Sequence, residues 1–379
     1  MSHLALLIPT LDRIAGAERQ LILLARGLRL RGWRVSLIAL SGAGGRAADE
    51  LVSADIPFLT LEMRKGLADP RGWLRLNRWL RREQPDILHA HLPHAAWMAR
   101  WSRLAAPVHG VIDTIHSSST GPLGRRLGYR FSRRLPDRVT AVGEAARTAY
   151  LEAKMVSPQQ VVMIPNGIDT ELWKPDADAR ATRRREMGLT GEFLWFAAGR
   201  LEPVKDYSTM LRAFAAVSER SRLVIAGSGP QESDLRSLSA ALGIEPRVRF
   251  LGFEPDVRGW MQAADGFLLT SLWEGLPMGL IEAGACGLPT VATDVAGTRE
   301  VIADGETGFL AAARSSTAVA EKMRLLMKAT HEERRAMGER ARQCIVERYS
   351  LDSVLDRWEA LYSELLARNP APRRWARTR

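Results

Sequence analysis

Residues 271–290 read SLWEGLPMGLIEAGACGLPT. The stretch opens out of an apolar run, GFLLTS (266–271), and leads into another, PTVATDV (289–295). Short apolar runs bounded by turn residues predict strands. Between them, a loop holding Gly275, Pro277 and Gly279 hands over to GLIEAGACG, which predicts a helix from about Gly279 with Glu282 in its first turn. Strand, loop, helix, strand is the unit from which parallel sheets are built. Two carboxylates, Glu274 in the loop and Glu282 in the helix, frame this unit. The helix start offers backbone N–H groups to an anion. The loop carboxylate can accept hydrogen bonds from the hydroxyls of a sugar, and the helix carboxylate can hold a second polyol such as a ribose. The plainer alternative is that Glu282 complements the helix dipole, worth about 0.3–1 kcal/mol, and that Glu274 is solvated.

The same rhythm extends in both directions. LALLIPT, RVSLIAL, DILHAH, VIDTIHS and RVTAV predict strands, each followed by a helix-like segment; residues 16–31 carry Leu21, Leu24 and Leu28 at near-helical spacing. Around VVMIPNGID the rhythm pauses, and KPDADARATRRREMG reads as a polar connector leading into a short helix. A second series follows: FLWFAAGR, RLVIAGSGP, VRFLGF, GFLLTS, PTVATDV and TGFLA. Two such series in 379 residues predict an α/β chain of two Rossmann-like, doubly wound domains. The expected division is a first domain over 1–165, a linker over 166–190, a second domain over 191–345, and a C-terminal helix with a basic tail over 346–379.

In open parallel sheets, ligands bind beyond the carboxyl ends of the strands. Gly16, His91, His116, Arg200 and Glu274 all stand just after predicted strands. In AAGRLEPVKD, Arg200 supplies a planar fork and Lys205 a compact charge, a combination suited to a diphosphate. Solvated surface cations are the alternative. Gly16, in RIAGAERQ, permits close backbone approach of a phosphate at a helix start, or marks a simple turn. HAHLPH suggests a metal site, but alternation puts His89 and His91 on one side of a strand and His94 in the next helix. No compact Asp-x-Asp loop is present. No metal and no cofactor are expected.

Together these residues resemble the family 4 (group 1) retaining glycosyltransferases of the GT-B fold, over nearly the whole chain. The resemblance rests on GAER at Gly16, HAH at His91, TIHS at His116, PNGID at Asn166, GRLEPVKD, the E-x7-E pair Glu274/Glu282, AGTREVI, and the final YSLDSVLDRWEALYSELL. It implies an acceptor-binding first domain and a nucleotide-sugar-binding second domain. The donor site would lie in the cleft between them, and the C-terminal helix would pack back towards the first domain. It implies that Glu274 contacts the donor sugar and Glu282 the ribose. Arg200 and Lys205 stabilise the departing diphosphate, and Gly16 approaches that diphosphate. The amides of Leu276, Pro277, Met278 and Gly279 would surround diphosphate and sugar, and His116 would sit near the reacting carbon. Asn166 would help close the site, Leu251 and Phe253 would lie near the base, and His91 would stand on the acceptor side. Transfer would retain configuration by front-face attack, the leaving phosphate taking the acceptor's proton.

The chain carries 54 Lys and Arg against 43 Asp and Glu, a net charge of +11, and only two cysteines. Residues 1–165 hold 24 basic and 13 acidic residues, whereas 166–367 hold 25 and 30. Such asymmetry points one half at an anionic partner. In RGWLRLNRWLRRE, Arg71, Arg75, Arg78 and Arg82 recur beside Trp73, Leu76 and Leu80; in GRRLGYRFSRRL, a stripe of Leu127, Phe131 and Leu135 runs beside Arg126, Arg130 and Arg133. Each reads either as an interfacial helix or as a core stripe with a solvated face. No run approaches the roughly 20 apolar residues of a membrane span, and the start has no secretory pattern. A cytoplasmic enzyme, peripheral on the inner face of the membrane, is expected. Its donor would be a UDP- or GDP-sugar, with a hexose or N-acetylhexosamine transferred. Its acceptor would be a glycan or lipid-linked molecule in cell-surface polysaccharide or glycolipid synthesis. No nucleic-acid partner is expected. A GT-B epimerase or phosphorylase and a non-enzymatic anion-binding protein are the alternatives.

Overall fold

In the computed structural model, which describes residues 1–12, 16–42, 46–63, 69–106 and 108–368, β1 (His3–Thr10) is buried from His3 to Ile8. A strand covered on both faces needs apolar side chains at consecutive positions, and LALLI supplies them. It pairs in parallel with β2 (Arg34–Ser41) and β4 (Ile87–His91). With β3 (Phe58–Thr60), β5 (Gly110–Ile115), β6 (Arg138–Ala141) and β7 (Val161–Met163), the order among the described residues is β3-β2-β1-β4-β5-β6-β7. The second sheet holds β8 (Phe193–Ala198), β9 (Ser221–Ala226), β10 (Val248–Gly252), β11 (Gly266–Leu269), β12 (Thr290–Thr293) and β13 (Gly308–Ala311), ordered β10-β9-β8-β11-β12-β13. Each order reverses once, between β1 and β4 in the first sheet and between β8 and β11 in the second. These reversals are the switch points at which doubly wound sheets take ligands.

Helices cover both faces of the first sheet. They are α1 (Gly16–Leu30), α2 (Arg46–Ser53), α3 (Pro70–Glu83), α4 (Pro93–Ser102), α5 (Leu123–Ser132) and α6 (Glu144–Glu152). The second sheet carries α7 (Ala177–Glu186), α8 (Tyr207–Ala215), α9 (Glu232–Ala241), α10 (Val257–Ala263), α11 (Met278–Ala285), α12 (Ala296–Arg299), α13 (Ser316–Lys328) and α14 (His331–Tyr349). The last helix, α15 (Leu351–Arg368), belongs to the first unit.

The chain forms two units, Met1–Gly167 with Leu351 onward, and Ile168–Ser350. The divisions therefore fall at 167/168 and 350/351. Residue 345 lies inside α14, which runs unbroken to Tyr349. The segment 168–190 is part of the second unit: Arg180 and Arg184 on α7 reach Asp265 at 2.5 and 2.9 Å. The basic stretch 369–379 lies outside the described residues.

In the first unit, one core layer joins Leu21, Leu24 and Leu28 of α1 to Leu355, Trp358 and Tyr362 of α15. A Cβ on Gly27 would stand 2.5 Å from Leu355 Cδ1, so the two helices approach closely at this glycine. Arg31 clamps α15 through Asp352, Asp356 and Glu359, at 2.9, 2.5 and 2.7 Å. The two arginine-rich helices differ sharply. On α3, Leu76 and Leu80 are fully buried while Arg71, Arg75, Arg78 and Arg82 face outward, an ordinary core stripe with a solvated face. On α5, Tyr129 and Ser132 are the buried residues, Leu127 and Phe131 point outward, and Leu135 lies beyond the helix end.

Candidate functional site

In the second unit, the loops after β8 and β11 meet at the switch point. Thr270 Oγ1 donates to the carbonyls of Lys205 and Asp206, both at 3.0 Å, and Leu272 N–H donates to Val204 O at 2.8 Å. This stitching brings Lys205 Nζ to 2.6 Å from Glu274 Oε1, which also accepts from Ser271 Oγ at 2.6 Å. Both charged side chains are largely buried. Two glycines make the arrangement possible. A Cβ on Gly227 would lie 1.9 Å from Gly199 O, and one on Gly297 would lie 2.6 Å from Gly275 O. Arg200 does not join the pair. Its side chain is 77% exposed and reaches Glu202 Oε1 at 2.7 Å.

Directly after Glu274 comes the start of α11. The helix begins at Met278 with Pro277 as its cap, so Glu282 lies in the second turn and not the first. The expectation of a first-turn carboxylate is corrected: the proline sets the boundary, since its fixed φ suits the entry to a helix. Pro277 also carries no N–H, so the backbone donors of this stretch belong to Leu276, Met278 and Gly279. Gly279 packs close to the strand behind it; a Cβ there would stand 3.2 Å from Phe267 Cζ. Burial pushes the Glu282 carboxyl up to about 7. Among the described residues no side chain pairs with it, so it is poised to accept hydrogen bonds from a ligand. Leu251 is half-buried on the edge strand β10, and Phe253 just beyond is exposed. They flank Gly252, whose carbonyl accepts from Gly227 N–H at 2.7 Å.

In the first unit, the ends of β4 and β5 carry a histidine cluster. His89 is bonded through Nδ1 to Tyr362 Oη at 2.8 Å and through Nε2 to Thr114 Oγ1 at 2.6 Å. His91 Nδ1 lies 3.0 Å from His116 Nε2. The rings of His89 and His91 are 4.2 Å apart, on the same side of the strand as alternation requires. Burial holds His89 down to about 3 and His116 to about 4, and lowers His91 as well, so all three are neutral near pH 7. Gln20 brackets Gly167 with two 2.9 Å bonds to its N–H and C=O. His91, Thr114, His116, Asn166 and Gln20 line a cavity of about 20 Å³, room for one water. Among the described residues, His91 Nε2 is buried without a protein partner. Gly16 opens α1 and is exposed; a Cβ there would meet nothing within 4 Å. Its own neighbours therefore do not require a glycine. Among the described residues no three His, Cys, Asp or Glu side chains are grouped to hold a metal ion.

Comparison with known proteins decides the family. The model for glycosyl transferases group 1 matches residues 180–344, and that for glycosyltransferase family 4 matches 14–172. The N-acetyl-alpha-D-glucosaminyl L-malate synthase of Bacillus anthracis is 30% identical over 296 residues, 75% of this chain and 76% of that protein. The chain belongs to the group 1, family 4 glycosyltransferases. A second relative of this glycosyltransferase is the Escherichia coli UDP-Gal:alpha-D-GlcNAc-diphosphoundecaprenol alpha-1,3-galactosyltransferase, 26% identical over 64% of this chain and 67% of that one. Among solved structures, Anabaena Alr3699/HepE in complex with UDP-glucose superposes with a TM-score of 0.83 at 23% identity, covering 95% of this chain and 99% of that one. The fold of this glycosyltransferase is GT-B.

Sequence reasoning missed several residues of the two clusters. Ser271 and Thr270 end an apolar run and read as strand; only the position of Glu274 three residues on hints at Ser271. Gln20 and Tyr362 sit on helices among apolar residues, with no local sign of a partner 147 or 273 positions away.

Proposed function

We propose that this glycosyltransferase moves a hexosyl or N-acetylhexosaminyl group from a UDP-sugar to a lipid-linked or glycan acceptor, with retention of configuration and without a metal ion. The observation that carries the reading is the Lys205–Glu274 pair, followed at once by the start of α11. Lys205 and the exposed fork of Arg200 supply cationic charge for a diphosphate, which reduces the need for a metal. Glu274 accepts from the donor sugar, and Glu282 from the ribose. Leu276, Met278 and Gly279 offer backbone donors, and Leu251 and Phe253 offer apolar surface to the base. From the first unit, Gly16 approaches the diphosphate, His116 donates to the donor sugar and Asn166 helps hold it, while His91 stands on the acceptor side. In the reaction the bond from sugar C1 to the phosphate oxygen breaks. The acceptor oxygen bonds to C1 on the same face, and its proton passes to the leaving phosphate. The UDP-Gal of the E. coli relative and the UDP-glucose held by the Anabaena structure support UDP. The diphosphoundecaprenol acceptor of the E. coli relative supports a lipid-linked acceptor, and hence a cytoplasmic enzyme peripheral on the inner membrane face, in cell-surface glycan synthesis.

The test is to incubate the purified protein with UDP-glucose, UDP-galactose, UDP-N-acetylglucosamine and GDP-mannose, in excess chelator. Slow release of UDP is expected from one UDP-sugar, and α-linked product once an acceptor is supplied. Release from GDP-mannose alone, loss of activity restored by metal, or β-linked product would each overturn the corresponding part.

A further inference from the structure

Helices α4 and α5 lie side by side, and a Cβ on Gly128 would touch the Trp97 ring at 3.4 Å. The face they present is inverted. A surface helix normally turns its apolar stripe to the core, but α5 is held from beneath by polar groups. Arg100 of α4 is fully buried and donates through Nε to Asp113 Oδ2 at 2.6 Å. Through Nη1 it reaches Ser132 Oγ at 3.1 Å and Tyr129 O at 3.3 Å, with its guanidinium 4.1 Å from the Tyr129 ring centroid. With Tyr129 and Ser132 on the inner side, Leu123, Leu127 and Phe131, spaced four apart, stand 67%, 40% and 83% exposed. Trp97 and Trp101 of α4 stand 46% and 36% exposed. Large apolar side chains grouped on a surface mark an interaction site. The exposed charge on these two helices has one sign. Between residues 93 and 136 the sole acidic residue is Asp113, buried against Arg100, whereas Arg126, Arg130, Arg133 and Arg134 are exposed. Beyond the end of α5, Arg133, Arg134 and Lys154 line an open recess with Ser157 and Gln160.

We propose that the α4–α5 face of this chain docks on an anionic lipid membrane, its apolar ridge entering the headgroup layer and its arginines meeting lipid phosphates. Exposed tryptophan beside arginine is the pairing that interfacial helices use. A protein partner of opposite charge would also complement the arginines, but exposed Leu, Phe and Trp side chains beside arginines are the composition of a helix that lies in a lipid interface. The inference rests on the reading that the acceptor is presented at a membrane, and it moves the contact from α3, whose apolar stripe is in the core, to α5.

The experiment is flotation of the full chain with vesicles of phosphatidylcholine alone and of equal parts phosphatidylcholine and phosphatidylglycerol, at low and high salt. The wild type is expected to float with the mixed vesicles, and less so as salt screens the arginines. A Leu127→Ser/Phe131→Ser variant should lose about tenfold or more of its binding, through lost apolar burial. An Arg126→Gln/Arg130→Gln/Arg133→Gln/Arg134→Gln variant should bind weakly and without salt dependence. Hydrolysis of soluble UDP-sugar should be unchanged in both variants. That readout separates failure of the docking face from failure of the transferase reading. A wild type that ignores anionic vesicles at low salt overturns the proposal. So do variants that float like the wild type, or a wild type whose mass in solution falls from dimer to monomer on Phe131→Ser, which would make a second copy the occupant.

Discussion

Lys205 Nζ and Glu274 Oε1 lie 2.6 Å apart, on loops that leave β8 and β11, the two strands that flank the reversal of strand order. The lysine neutralises the carboxylate on which the donor sugar is expected to sit, and both Lys205 and Ser271 engage Oε1. The predicted consequence is that Lys205→Ala lowers turnover by about 10²-fold or more, because charge at the leaving diphosphate goes unmatched. It should also cost about 1–3 kcal/mol of stability, since a largely buried carboxylate keeps only Ser271 as a donor. Steady-state kinetics and urea unfolding measure both. Wild-type turnover would remove Lys205 from the mechanism.

Glu282 gives a pH signature. Burial raises its carboxyl to about 7, and in the proposed role the ionised form is the better acceptor for ribose hydroxyls. Affinity for UDP should thus rise as pH rises through 7. From about pH 6 to about pH 8 the ionised fraction grows by up to about tenfold, and affinity should follow. The phosphates of UDP titrate as well, so the measurement is calorimetry on the wild type against Glu282→Gln, with the difference in slope as the readout. For stability the sign is opposite. The native state holds this proton where the unfolded chain has lost it, so stability falls with rising pH between the ordinary glutamate range and about 7. Parallel slopes in wild type and variant would argue against a ribose role.

Gly297 supports the same loop from behind. A Cβ at this position would meet Gly275 O at 2.6 Å and Glu274 O at 2.8 Å, and both are backbone atoms that move only if the loop moves. Gly297→Ala is predicted to shift Glu274 by a fraction of an ångström and lower kcat/KM by about 10²-fold, with the circular dichroism spectrum preserved. Unchanged kinetics would mean that the loop tolerates displacement.

Tyr362 anchors the histidine cluster from α15. Its hydroxyl is bonded to His89 Nδ1, and His89 is fully buried with its other nitrogen on Thr114. Tyr362→Phe keeps the ring but orphans that nitrogen, which should cost about 1–3 kcal/mol in urea unfolding. UDP binding should be unaffected, because the cationic, carboxylate and backbone groups assigned to the nucleotide, Gly16 apart, belong to the second unit. A loss of UDP affinity equal to the loss of stability would contradict that division.

Much of this protein is legible in sequence because the signals are local. Buried parallel strands demand uninterrupted apolar runs, and LALLI, FLWFAA and GFLL announce themselves without any knowledge of their neighbours. The eight-residue separation of Glu274 from Glu282 is likewise local, set by one loop and one helix. What the sequence cannot contain is the result of strand order. Lys205 finds Glu274 across 69 positions because the parallel sheet brings two strand ends together, and Tyr362 finds His89 across 273 positions because α15 packs onto the core of the first unit. Burial follows from the same packing. Glu282 reads as a first-turn carboxylate until Pro277 sets the helix start, and its burial comes from neighbours that the local sequence does not name.

The two arginine-rich helices make the point most plainly. On paper α3 and α5 carry the same alternation of arginines and apolar residues, and either could face a core or a membrane. Leu76 and Leu80 are buried because α3 meets the apolar underside of its sheet. Leu127 and Phe131 are not, because the buried Arg100–Asp113 pair holds α5 by Tyr129 and Ser132 and so turns the opposite side outward. Amphipathic spacing determines that a helix has two faces; which face is turned inward is decided by what lies beneath it.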